Sequence, residues 1–122
     1  YVNILTLLRL AGIKRYATER TSRDPLIVIG GAVTFVNPEP LAPFADVIAA
    51  GEAEVLIPSL ERAFREAGDR DAFLQQLTRE RGFYIPSFYE PHYASDGTLE
   101  HYEPLIRSIC ASPKRSIYKA VE

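Results

Sequence analysis

The sequence predicts an α/β domain with parallel strands, followed by an antiparallel hairpin. Two junctions carry the first half of that expectation: the aliphatic run Leu26-Ile27-Val28-Ile29 stops at Gly30-Gly31, and the stretch Asp46 to Ala50 stops at Gly51. Helix signals follow each. Strand, glycine turn and helix in alternation is the order a parallel sheet demands, since parallel neighbours can be joined only by a crossover. The hairpin rests on Ser95-Asp96-Gly97, a turn composition set between aromatic-rich segments.

Between Tyr1 and Gly12 the residues Val2, Ile4, Leu5, Leu7, Leu8 and Leu10 include i, i+3, i+4 spacings, which predicts a helix with a broad buried face that Gly12 stops. Ile13 to Ala17 reads as a short strand or the start of a loop, and Thr18 to Asp24 as a polar connection ended by Pro25. The run Leu26 to Ile29 has the pattern of a central parallel strand buried on both faces. Asn37-Pro38-Glu39-Pro40 then supplies a cap and a first-turn Pro for a short helix at Leu41 to Phe44. Asp46 to Ala50 is the next strand. A longer helix, Val55 to Ala67, carries Leu56, Leu60, Ala63, Phe64 and Ala67 at helical spacing before Gly68. Asp71 to Arg81 reads as a shorter helix with Phe73, Leu74 and Leu77 on one face, stopped by Gly82. Two short antiparallel strands are expected between Phe83 and Tyr102, and an extended arm or linker from Glu103 to Glu122. The expected division is therefore 1–82 for the α/β part and 83–122 for the hairpin and linker.

With 47% hydrophobic and 25% charged residues among 122, the composition is that of a globular domain, and its formal net charge is −2. The basic residues are scattered, so no stripe of Lys and Arg exists to displace counterions from a phosphate backbone, and nucleic acid is not an expected partner. Apolar runs fall far short of the roughly 20 residues that cross a bilayer. No membrane partner is expected, and the expected location is cytoplasmic. The single cysteine, Cys110, can form no internal disulfide and cannot alone hold an iron–sulfur cluster or a structural zinc. The chain opens on Tyr1 within a helical pattern, which suggests a piece of a larger protein. Burial of its remaining surface against the rest of that polypeptide, or a second copy, is a natural expectation.

Gly30 and Gly31, with Thr34 just beyond, are the leading candidate binding turn. Glycines at the carboxyl end of a parallel strand let a ligand approach the backbone where open α/β sheets bind cofactors, although a tight turn without a ligand looks the same. Gly51-Glu52-Ala53-Glu54 forms a second junction one unit later, which a parallel sheet would place on the same edge. Glu52 and Glu54 there are either hydrogen-bond acceptors toward a ligand or complements to a helix dipole. His92 and His101, with Glu90, Glu100 and Glu103, match none of the compact metal motifs, and no metal site is assigned. The aromatic group Phe83, Tyr84, Phe88, Tyr89 and Tyr93 reads as packing. No nucleophile elbow, phosphate loop or dinucleotide fingerprint occurs, and no catalytic residue is assigned.

The order of these motifs goes further than any one of them. Tyr1-Val2-Asn3-Ile4-Leu5, Leu10-Ala11-Gly12-Ile13, Pro25 through Gly31, Asn37-Pro38-Glu39-Pro40-Leu41 and Gly51-Glu52-Ala53-Glu54 together resemble the amino-terminal region of radical S-adenosylmethionine (radical SAM) proteins that carry a cobalamin-binding domain. Tyr84-Ile85-Pro86-Ser87-Phe88-Tyr89 with Asp96-Gly97 is similar to the segment joining that region to the radical SAM barrel. The resemblance implies a partial flavodoxin-like, three-layer domain holding cobalamin at the carboxyl edge of its sheet. A following barrel would bind a 4Fe-4S cluster through three cysteines and cleave S-adenosylmethionine; those cysteines are absent here. Gly30, Gly31, Thr34, Gly51, Glu52 and Glu54 are the cofactor-binding positions so implied. Two departures stand out: Ala53 occupies a position where the family more often has Gly, and the Asp-x-His-x-x-Gly cobalt-ligating motif is missing. The competing expectation is a non-enzymatic interaction module whose aromatic hairpin docks on a partner.

Overall fold

The structure, a computed structural model, describes residues 1–106. A three-stranded sheet organises it, with β1 (Val28–Gly30), β2 (Val47–Ala49) and β3 (Phe83–Tyr84) in the order β1-β2-β3. β1 and β2 are parallel, pairing Val28 with Val47 and Gly30 with Ala49, whereas β3 runs antiparallel to β2. The period-two alternation of β2 sorts the core onto two faces. Val47 packs with Leu56, Ala63, Phe73, Leu77 and Phe83, while Ile48 packs with Ile29, Leu41, Ala45 and Tyr84. The result is a helix–sheet–helix sandwich, an α/β fold.

On one face lie α3 (Ala53–Glu66) and α4 (Arg70–Leu77), whose buried positions Leu56, Ala63, Phe73, Leu74 and Leu77 are among those expected to face a core, whereas Phe64, expected there too, turns out to solvent at 66% exposure. Asp69 caps α4 by accepting a hydrogen bond from the Ala72 amide at 2.8 Å. Pro58 inside α3 cannot donate to the preceding turn, and its ring lies on the exposed side, where the helix continues past it. The other face is covered by α1 (Val2–Leu10), a four-residue helix α2 (Val33–Val36) and a 3-10 turn at Glu39–Leu41. A hairpin of β4 (Tyr89–Tyr93) and β5 (Leu99–Pro104) completes the described chain, pairing His92 with His101 and Glu90 with Glu103.

Several expectations are corrected. The strand signal at Leu26 to Ile29 belongs to Val28–Gly30, and β1 is not central. It pairs only with β2 among the described residues, so Ile29 alone in it is buried and Val28 is exposed. The strand buried on both faces is β2, where Val47 and Ile48 are fully covered. The short helix expected at Leu41 to Phe44 is a 3-10 turn two residues earlier, while α2 occupies residues for which no helix was expected. α1 buries only Leu8, because it touches the domain along one narrow line through Ile4. Phe83–Tyr84 is a sheet strand and not part of the hairpin, so the sheet reaches past residue 82. The hairpin's second strand runs on to Pro104, two residues into the expected arm, whose portion 107–122 lies outside the described residues, as does Cys110.

Candidate functional site

The parallel register sets Gly30 beside Ala49, so the turns that follow the two strands leave the sheet at one edge. Gly30, Gly31 and Gly51 line a mostly apolar cleft of about 230 Å³ there, walled by Val28, Leu56 and Phe83. Each glycine has its own reason. Gly31 holds φ +110°, a backbone region that L side chains rarely adopt. A Cβ on Gly51 would lie 2.9 Å from Leu56 Cδ1, and one on Gly30 would lie 3.2 Å from the Ala49 carbonyl oxygen. Larger residues at Gly30 and Gly51 would press on the cleft's own walls.

The other three candidate residues do not enter the cleft. Thr34 is fully buried, and its hydroxyl hydrogen faces the carbonyls of Gly31 at 2.8 Å and Ala49 at 3.3 Å. It therefore fastens the first turn to the end of β2. Glu52 and Glu54 are exposed at the start of α3, where the Glu52 carbonyl accepts from the Val55 and Leu56 amides. Their charges complement the helix dipole at the rim of the cleft. Ala53, between them, lines the cleft itself.

Away from this edge, the rings of His92 and His101 stack with centroids 4.7 Å apart and planes 3° from parallel. His92 Nε2 lies 3.0 Å from Glu103 Oε2 but forms no hydrogen bond, so this is a close contact of poor alignment. Among the described residues no group of three or more His, Cys, Asp or Glu side chains is placed to hold a metal ion. At the opposite end of β2, Asp46 is buried between Arg20 and Arg70, with N to O distances of 3.1 and 2.6 Å. Near it, Glu39 approaches the hydroxyls of Tyr84 and Tyr102. Burial first, and then the neighbouring carboxylate, holds both phenols well above their ordinary range. No spacing in the sequence singled out either cluster, because their members are brought together only by the fold.

A sheet whose parallel strands end in two glycine turns around one cleft is the arrangement by which open α/β domains present ligand-binding loops. Residues 1–86 match the family described as radical SAM proteins, N-terminal, and the chain belongs to that family. No curated protein and no solved structure matches it. No helix among the described residues is long and apolar enough to cross a membrane.

Proposed function

We propose that this chain is the portion of a radical SAM enzyme that seats cobalamin against the carboxyl edge of a flavodoxin-like sheet. The observation that carries this reading is the convergence of Gly30, Gly31 and Gly51 on one apolar cleft at that edge. The fit is to part of the cofactor. A cleft of about 230 Å³ is smaller than the ~300–1,000 Å³ of sites that enclose a drug-sized ligand, so it would seat an edge of a corrinoid without engulfing it. No imidazole lines it, so this edge offers cobalt no histidine.

Within that reading Gly30, Gly31 and Gly51 give the cofactor close approach to the backbone. Thr34 holds the first turn in place, and Glu52 and Glu54 stand at the rim as hydrogen-bond acceptors for the cofactor's amide groups. When bound, cobalamin supplies a cobalt centre suited to group or electron transfer. The 4Fe-4S cluster and S-adenosylmethionine belong to the barrel of the parent polypeptide, and no residue of this chain is assigned a catalytic role. The exposed apolar strips of α1 and α3 face the remainder of that polypeptide in this reading.

The test compares this chain with the longer natural polypeptide, each mixed with hydroxocobalamin and passed through gel filtration with visible detection. Retention by the longer protein, and its loss on Gly51→Leu, is the expected result. A longer protein that retains no corrinoid, or retains it equally with Leu at position 51, would refute the proposal.

A further inference from the structure

We infer that a second cleft, at the amino end of β1 and β2 and thus remote from the glycine turns, binds a small organic ammonium ion. It measures about 450 Å³, within the range of sites for drug-sized ligands. The hairpin creates it by folding back across the 3-10 turn Glu39–Leu41 and the start of α4. Its walls include Tyr84, Phe88, Tyr89 and Tyr102, with Pro43 and Pro86 beside them. The rings of Tyr84 and Tyr89 meet edge to face, 5.5 Å between centroids. Aromatic faces attract cations through their quadrupoles, the more so where the cation is desolvated.

The charges in the cleft select the sign of the ligand. Five charged side chains line it: Arg20, Arg70, Asp46, Asp71 and Glu39. Three of them are engaged with one another. Arg20 is held by Asp46 and by the carbonyls of Lys14, Arg15 and Phe44, and Arg70 by Asp46 and the Asp24 carbonyl. The two remaining are carboxylates. Neither Glu39 nor Asp71 has a Lys, Arg or His nitrogen within ion-pair distance among the described residues. Glu39 is half-buried beside the hydroxyls of Tyr84 and Tyr102. A half-buried carboxylate among aromatic and proline surfaces suits a cation that is bulky, weakly hydrated and apolar at its periphery. A metal ion would find too few oxygen ligands, and an anion would meet unpaired negative charge.

Choline is the probe, titrated into the protein with amide shifts followed by NMR and heats by calorimetry. Its neutral isostere, 3,3-dimethylbutan-1-ol, serves as the matched control. Saturable choline binding is expected, at least about tenfold tighter than the isostere, since charge recognition in a desolvated site is worth on the order of a decade. Glu39→Gln should weaken choline about tenfold with the thermal midpoint retained, and Asp71→Asn, at an exposed position, should weaken it less. Absence of saturable binding at tens of millimolar, equal binding of the isostere, or unchanged affinity in Glu39→Gln would each overturn the inference.

Discussion

Asp46 shows how much of this fold one side chain holds. Its carboxylate accepts hydrogen bonds from the Ile27 amide at 2.8 Å, Arg20 Nε at 3.1 Å and Arg70 Nη2 at 2.6 Å. The polar connection before β1, the approach to that strand and the first turn of α4 therefore meet at one buried charge. Such a cluster need not outperform an apolar core of equal volume, but removing one member leaves a buried guanidinium unpaired. Asp46→Ala is expected to lower the unfolding free energy by about 3–5 kcal/mol, read from urea melts. An Asp directly before an apolar strand was visible in the sequence; its partners, 26 and 24 residues away, were not, because no periodicity links them. Asp24 gives a pH-dependent counterpart. The Lys14 ammonium first, and then the Thr21 amide, hold its pKa at about 2, below the ordinary 3.8. A folded-state pKa below the unfolded one means that the stabilisation is complete above the unfolded value and is lost as pH falls through the folded one. The stability gap between the native chain and Asp24→Asn should be constant above about pH 5 and narrow between about pH 4 and 2. A gap that widened on acidification would contradict this.

At the level of elements, the strand–turn–helix junctions were the most legible feature, because a glycine after an aliphatic run signals a backbone requirement that few other causes produce. Both junctions occur where expected, and the parallel register of β1 and β2 brings them to one edge. Strand rank was illegible. Leu26 to Ile29 and Val47 to Ile48 have equal hydrophobicity to the eye, and only pairing partners decide which strand is covered twice. The four residues of α2 carry no periodicity, and tertiary contact makes them helical; Thr34 within it stitches the Gly31 turn to β2. Of the two βα junctions, the one at Gly51 is the tighter against side chains. Gly51→Ala would place a methyl group 2.9 Å from Leu56 Cδ1 and force that buried side chain to move. Overpacking of this kind costs about 1–3 kcal/mol. The expected outcome is a lower thermal midpoint together with shifted Leu56 methyl resonances; an unchanged Leu56 environment would show that the junction has slack.

For the molecule as a whole, the informative quantity is the apolar surface left uncovered among the described residues. Leu7 and Leu10, one turn apart on α1, are 64% and 72% exposed, and Ile57 and Phe64, two turns apart on α3, are 57% and 66% exposed. Single exposed apolar residues are ordinary, but two helices each displaying a spaced pair present stripes that water solvates poorly. Sequence periodicity assigns α1 a broad buried face, and its residues are apolar as that requires; periodicity does not show that no element among the described residues covers Leu7 and Leu10. In isolation the chain is therefore expected to self-associate through these helices. Sedimentation velocity over a micromolar concentration series should show the weight-average coefficient rising with concentration. Leu7→Glu with Leu10→Glu should flatten that rise while leaving the sheet's stability intact, because neither side chain contributes to the buried core. A concentration-independent coefficient in the unaltered chain would mean that α1 is stable in water as it stands and that no covering surface is required.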